Sequence, residues 1–363
     1  MNNQFCIIMA GGIGSRFWPL SKNNYPKQFL DIFGTGKSFI RSTYERFLPV
    51  VPTENFLVVT NAAYKEAVLE HIPELKPEQV LCEPMRRNTA PCIAYASYRI
   101  ASQCDDAVIA VTPADHLVTN EVEFQRIIST GFDFVGKKEN EEALMTIGIK
   151  PSRPETGYGY IELPSSDTKN GAVTAINGFK EKPNLEKAKE FLAAGNYLWN
   201  SGIFIWSLKG IMNAFRTHLP KMAALFDEGK GIYGTAGEQE FINRKFAECE
   251  NISIDYGVME HATKRYTRPA DFGWSDIGTW GSLYDLGQKD EHKNVALHGN
   301  TLFYESGGNV VTLPEGNLAV IEGMQDMIVA QNGNVLLICR KDREQNIRQI
   351  VAEVENKFNG TYT

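Results

Sequence analysis

Three glycines, Gly11, Gly12 and Gly14, follow a short apolar run in the stretch AGGIGSRFWPLSKNNYPKQF (residues 10–29), with Ser15, Arg16, Lys22 and Lys27 close behind. A glycine leaves room for backbone N–H groups to approach a phosphate, and arginine or lysine nearby supplies full positive charge. Residue types alone leave a second reading open, a tight strand-to-helix turn with solvated basic side chains. Spacing excludes two familiar phosphate loops. A dinucleotide fingerprint needs glycines at one, three and six, and counting from Gly12 puts Phe17 in the last place; the triplet Gly36-Lys37-Ser38 lacks the earlier glycine of a P-loop.

Acidic residues recur at element ends. Asp115, in TPADH (residues 112–116), comes just after an apolar run, and Asp276 lies in the turn-like GWSDIGTW (residues 273–280). Two carboxylates distant in sequence can give Mg²⁺ the few oxygen ligands it takes, although aspartates at such places also serve as turn or cap residues. In FKEKP (residues 179–183), Glu181 and Lys182 can reach one ligand only if the strand ends there, because neighbouring strand side chains point to opposite faces. In EPMRRNTAP (residues 83–91), Asn88 offers both donor and acceptor to a base or ribose. A helix starting near Thr89 or Pro91 would aim its N–H groups at a nucleotide. Arg86 and Arg87 read equally as phosphate partners or solvated arginines. The histidines show no metal-ligand pairing, so zinc is not expected, and His116 is read as structural.

These residues need a scaffold. Apolar runs at Phe5–Met9, Phe56–Thr60 and Ala107–Thr112 alternate with segments of helical period at Tyr64–His71 and Pro91–Ser102, the pattern of a mostly parallel sheet flanked by helices. Asn120 and Glu123 resemble a capping box opening a helix with Phe124, Ile127, Ile128 and Val135 on its buried face. A helix after Pro183 and Asn184 is expected to bury Leu185, Ala188 and Leu192 and to stop at Gly195; strands are expected at Ala143–Ile149 and in YLWNSGIFIW (residues 197–206). From about Asn294 short β-type runs are separated by turns such as Ser306-Gly307-Gly308, and Ile347, Ile350, Val351, Val354 and Phe358 mark a closing helix. The expected division is a catalytic domain at 1–293 and a small β-rich domain at 294–363, with no long repeat in either.

Composition bounds the function. The chain has 363 residues, 43% apolar and 22% charged, with a net charge of −7, which argues against a nucleic-acid partner because duplex binders carry a basic face. Anionic ligands must be held by local cations or a metal. The six cysteines are irregularly spaced without a CxxC pair, so reduced, mostly buried thiols are expected. No leader pattern and no membrane-length apolar run is present, and a cytoplasmic protein with no membrane partner is the expectation.

The ordered series AGGIGSRFWPLSKNNYPKQF, EPMRRNTAP, TPADH, GYGYI (residues 157–161), FKEKP, WNSGIF (residues 199–204) and GWSDIGTW resembles that of the mannose-1-phosphate guanylyltransferases, which are sugar-nucleotide pyrophosphorylases. The resemblance implies a Rossmann-like nucleotidyltransferase fold and a tail similar to a short left-handed β-helix that supports a homodimer. It implies GTP and mannose 1-phosphate as substrates, GDP-mannose as product and Mg²⁺ as cofactor. Arg16, Lys27, Asp115, Lys182 and Asp276 become the catalytic set, with Asp115 and Asp276 holding the metal. Gly11, Gly12, Gly14, Ser15, Glu83, Asn88 and Thr89 are assigned to the nucleotide; Gly157, Glu181 and Asn200 to the sugar, beneath a wall carrying Tyr158 and Tyr160, two residues that read equally as core aromatics. Longer relatives continue into a cupin-type isomerase domain, so no isomerisation of mannose 6-phosphate is expected here. The alternatives are a catalytically silent nucleotide-sugar-binding regulator, which would be expected to lose some of these charged positions, and a pyrophosphorylase for another hexose 1-phosphate.

Overall fold

The computed structural model describes residues 3–165 and 171–363. The chain divides into two compact units. The first comprises Met1–Gly11, Thr43–Ala114 and Val118–Trp274; the second comprises Gly12–Ser42, Asp115–Leu117 and Ser275–Thr363.

In the first unit, the longest apolar runs become strands buried on both faces. The strands are β1 (Gln4–Met9), β2 (Phe56–Asn61), β3 (Val80–Glu83), β4 (Val108–Pro113), β5 (Leu144–Ile149), β6 (Tyr160–Glu162), β7 (Thr174–Ala175), β8 (Gly178–Lys180), β9 (Tyr197–Ser207) and β10 (Arg265–Ala270). The sheet order is β3-β2-β1-β4-β9-β5-β10-β7, with β6 pairing both β9 and β8. Strands β1 to β4 pair in parallel, as does β10 with β5, whereas β9 runs antiparallel to β4, β5 and β6. Cys6, Ile7 and Ile8 have no exposed surface, which explains why β1 reads as a continuous apolar run rather than an alternating one. The helix Thr89–Ala101 is buried along nearly its whole length in the same core, because its Ala90, Ala94 and Ala96 allow close approach.

The capping residues act at both helices, but the capping box at Asn120 is only half formed, because the Glu123 carboxylate pairs with Arg126 rather than with the Asn120 backbone. Asn120 Oδ1 accepts from Glu123 N at 3.1 Å and Asn184 Oδ1 from Lys187 N at 2.9 Å, while Gly195 adopts the left-handed conformation that ends its helix. Two burial expectations fail: Leu185 is 50% exposed, because as the first helical residue it sits outside the buried face that Ala188 occupies, and Leu192 is only half-buried. The helices at Leu208–His218, Pro220–Asp227 and Glu238–Lys245 fill a stretch for which the sequence reading named no elements.

The second unit holds stacked coils: β11 (Val295–Ala296), β12 (Asn300–Tyr304), β13 (Val310–Thr312), β14 (Leu318–Glu322), β15 (Met327–Asn332) and β16 (Val335–Arg340). Strand β13 pairs in parallel with β11 and β15, and β12 with β14, so successive coils stack, and a β15–β16 hairpin closes the stack. Buried asparagines tie neighbouring coils together, although the coil spacing is uneven, 15 residues from Val295 to Val310 and 18 from Val310 to Ile328. Asn309 Nδ2 donates to Asn294 Oδ1 at 2.9 Å, and Asn309 Oδ1 accepts from Met327 N at 2.9 Å, so each amide satisfies polar groups of the coil beside it. Val295, Val310, Ile328 and Ile347 share a core with Phe17, Trp18, Trp280 and Leu283.

Candidate functional site

In the second unit a buried ammonium organises the first candidate centre. Lys27 is 2% exposed. Its Nζ lies 3.0 Å from Asp115 Oδ2 and donates to Asp115 O at 3.0 Å and Asp276 O at 2.7 Å, so all three donors are taken. The rings of Phe17 and Phe39 flank it at 5.5 and 5.2 Å from their centroids. Sequence reasoning placed Lys27 as a charge near phosphate; here it ties together two aspartates that stand 161 positions apart in the chain. The glycine turn permits this. Gly14 has φ +71°, and a Cβ there would lie 2.5 Å from Lys27 Cβ, so any side chain would displace the lysine.

Arg16 follows on a one-turn 3₁₀ segment, Ser15–Phe17. Its Nη1 donates to Gly278 O at 3.0 Å, Trp280 Nε1 donates to its carbonyl at 2.9 Å, and its Nε is buried without a hydrogen-bond partner. The turn carrying Asp276 is equally constrained: Gly278 N donates to Asp276 Oδ1 at 3.0 Å, and a Cβ on Gly278 would stand 2.7 Å from Asp276 Oδ2. Burial pushes the Asp115 carboxyl upward, but the Lys27 ammonium, with a smaller contribution from His116, outweighs it and holds the carboxyl below its ordinary value. Asp115 is therefore an anion at neutral pH, with its side chain a third exposed. Gly12 is exposed and has open space around its Cα, whereas Ser15 is half-buried.

Such a centre suits a hard divalent cation, since its anionic donors are carboxylate oxygens. Among the described residues no three His, Cys, Asp or Glu side chains gather into a metal cluster. A divalent ion held by Asp115 and Asp276 would thus take most of its ligands from phosphate and water, as magnesium does.

The first unit carries two further clusters. At the end of β8, Lys182 has φ +44°, and that turn brings both Glu181 and Lys182 to one place, where their side chains pair directly. Glu181 is 5% exposed, and its Oε2 has no hydrogen-bond partner. Gly159 makes room for it, since a Cβ there would lie 2.5 Å from Glu181 Oε2; Gly157, assigned to the sugar, is exposed and donates its N–H to Glu155 Oε1 at 3.0 Å. Asn200 comes from a bulge in β9, where Asn200 pairs with Gly148 but Phe204 with Thr146, and Gly202 has φ +72°. The bulge aims the amide at Thr146, whose hydroxyl donates to Asn200 Oδ1 at 2.7 Å, and Asn200 Nδ2 donates to Asp255 Oδ1 at 2.9 Å. Thr146 and Asp255 were missed by sequence reasoning. Tyr158 packs edge-on against Trp199 and Trp274, and Tyr160 is fully buried.

Glu83, the last residue of β3, forms the second cluster. It is 5% exposed, its Oε1 lacks a partner, and a Cβ on Gly11 would lie 3.5 Å from its Oε2. Burial raises the carboxyl to about 8, against the opposing pull of the Cys92 thiol and the Arg86 guanidinium. Asn88 (φ +66°) caps the following helix, its Oδ1 accepting from Thr89 N at 2.9 Å. Ala90 N donates to Ile252 O at 3.1 Å, and Thr89 Oγ1 accepts from Ile254 N at 2.9 Å. The first N–H groups of this helix, expected to face a nucleotide, are therefore used inside the protein. Arg87 donates to Ala247 O at 2.9 Å. All six cysteines are free thiols, four of them buried.

Residues 5–293 match the nucleotidyl transferase family, and residues 299–354 match the MannoseP isomerase/GMP-like beta-helix domain. The chain is 33% identical over 356 residues to a mannose-1-phosphate guanylyltransferase of Escherichia coli, covering 96% of this chain and 75% of the relative. It is 32% identical over 366 residues to one of Salmonella typhimurium, covering 98% and 73%. A solved structure from Thermus thermophilus, described as a mannose-1-phosphate geranyltransferase, superposes with a TM-score of 0.85 at 31% identity, covering 97% of this chain and 99% of that one. The chain belongs to the nucleotidyl transferase family, and within it to the mannose-1-phosphate guanylyltransferases. The family generally uses a divalent metal. No helix among the described residues is long and apolar enough to cross a membrane.

Proposed function

We propose that the protein joins GTP and α-D-mannose 1-phosphate into GDP-mannose, releasing pyrophosphate, with Mg²⁺ as its metal. The observation that carries the reading is the Lys27 ammonium, which draws Asp115 and Asp276 into one centre beside Arg16. The attacking group is a phosphate monoester with a second pKa of about 6, already mostly dianionic at neutral pH, so no general base is required. The obstacle is repulsion between two polyanions, which fixed cations and aligned donors remove. Magnesium, held by Asp115 and Asp276, would supply positive charge to the phosphate oxygens. Arg16 faces the triphosphate with backbone N–H groups of the Gly11 to Ser15 turn. Lys27 holds the Asp115 carboxylate and the backbone of Asp276 in place, and Lys182 takes the phosphate of the sugar while Glu181 and Asn200 meet its hydroxyls. Residues 1–293 form the catalytic domain and residues 294–363 the C-terminal β-rich domain. Release of pyrophosphate should stop when divalent metal is chelated and return with Mg²⁺. Release that persists in chelator would remove the metal assignment, and none under any condition would remove the function.

Glu83, with Asn88 and Thr89 beside it, reads the base. Guanine presents N1–H and N2–H₂ donors side by side, which a carboxylate can accept together once Glu83, protonated through burial in the free protein, gives up its proton on binding, whereas adenine puts an acceptor at N1. Glu83→Gln should therefore lower the preference for GTP over ATP by about 10- to 100-fold, the worth of one good bidentate contact. Competing-substrate kinetics check this, and an unchanged preference would place base recognition elsewhere.

The active form is a cytoplasmic homodimer. Support comes from an apolar stripe on the paired strands β12 and β14, where Leu302, Tyr304, Leu318 and Val320 are 49 to 60% exposed on one face. Light scattering should return twice the chain mass of 40.6 kDa; a strict monomer at micromolar concentration would refute the dimer.

A further inference from the structure

Asp255 opens a π-helical turn, Asp255–Met259, an arrangement that recurs at functional sites. Its partner Asn200 cannot turn over freely, because Asn200 Oδ1 accepts from both Thr146 Oγ1 at 2.7 Å and Gly202 N at 3.3 Å. Asp255 thus fixes the donor side of an amide whose acceptor side is already held. Around it stand Glu181 and Lys182 from the end of β8, and Tyr256 and Glu260 from its own turn. Glu260 Oε1 accepts from Glu181 N at 3.1 Å and lies 3.8 Å from Lys180 Nζ.

With Asp255 and Glu181 both ionised, the one ammonium of Lys182 faces two carboxylates and pairs with Glu181. That is a poor reception for an anionic sugar phosphate. One proton on the carboxylate pair makes the three groups neutral and weakens their hold on the lysine. Burial first, then the Glu181 charge, pushes Asp255 up to about 7, with Lys182 opposing.

We propose that Asp255 is a positioning residue of the hexose phosphate site: it orients Asn200, and it keeps a proton beside Glu181 so that Lys182 can turn to the ligand phosphate. This deepens, and rests on, the hexose reading of Glu181, Lys182 and Asn200. The proton comes from solvent and no covalent bond changes. A group whose pKa rises on binding takes up a proton, so affinity is greatest below its free value and falls as pH climbs through the value in the complex.

The test uses GDP-mannose, whose pyrophosphate diester has no group titrating near neutrality, in calorimetric titrations of the full chain in buffers of different protonation enthalpy. At pH 7.5, in a Glu83→Gln background that removes the base-site carboxyl, the chain should take up roughly half a proton or more, and affinity should fall by up to about tenfold per unit above pH 7. Asp255→Asn is neutral and still accepts from Asn200, so it should bind within about threefold of wild type at pH 7 with no proton uptake; Asp255→Ala, lacking the hydrogen bond, should bind about tenfold more weakly. Uptake persisting in Asp255→Asn, or equal weakness of the two variants, overturns the proposal. If neither Asp255 variant folds, the Glu83→Gln chain decides, since binding there without proton uptake overturns it. A wild type that binds no GDP-mannose removes the hexose reading as well as the proposal.

Discussion

Lys27→Met should release pyrophosphate about a thousandfold more slowly than the wild type, the order of effect seen when one preorganised electrostatic group is deleted from a water-poor site. The variant keeps the length of the stem and its packing against Phe17 and Phe39 but removes the charge. The carbonyls of Asp115 and Asp276 and the Asp115 carboxylate then lose a shared donor. Breaking such a pair from one side also costs about 3 kcal/mol of stability, because the remaining groups are left uncompensated. Denaturant unfolding and pyrophosphate release, measured together, separate the two losses. A folded variant that turns over within tenfold of the wild type would show that the lysine is packing rather than organisation.

Lys182→Met should act on one substrate only. A charge-assisted hydrogen bond to phosphate contributes more than a neutral one, so KM for mannose 1-phosphate should rise by about 10- to 100-fold while KM for GTP moves by less than about threefold. The reason lies in the chain itself. Lys182 shares its turn with Glu181, which is tied through Glu260 to the Asp255 turn, and none of these groups belongs to the unit that holds Arg16 and Lys27. A rise in KM for GTP with mannose 1-phosphate unaffected would reverse the assignment of this cluster.

Much of the scaffold was legible because its signals are local. The run FCIIM read as a strand covered on both faces, and Asn120, Asn184 and Gly195 marked helix ends through chemistry contained within four residues. The motif WNSGIF was legible as strand but not as bulge, since the bulge exists only relative to β5 and its Thr146. For the same reason Gly157 and Gly159 could not be ranked from sequence: what distinguishes them is how close Glu181 comes. Asp255 gave no signal because its neighbours Ile254 and Tyr256 form no pattern of their own, and its chemistry comes from Asn200 on β9 and from Glu181 and Lys182 in the turn after β8. The helix at Thr89 was placed correctly, yet its first donors turn to Ile252 and the Asn88 side chain, partners that only the tertiary fold supplies. In the tail, Asn294 and Asn309 stand in successive coils, but two asparagines among many do not announce a ladder until the strands stack.

The most direct measurement is the initial rate of pyrophosphate release by the purified protein, taken across four nucleoside triphosphates and several hexose 1-phosphates with Mg²⁺ present. GTP with mannose 1-phosphate should be the fastest pair by at least about tenfold, the discrimination that one well-made polar contact provides. A different pair in first place, or no release from any pair, would contradict the account.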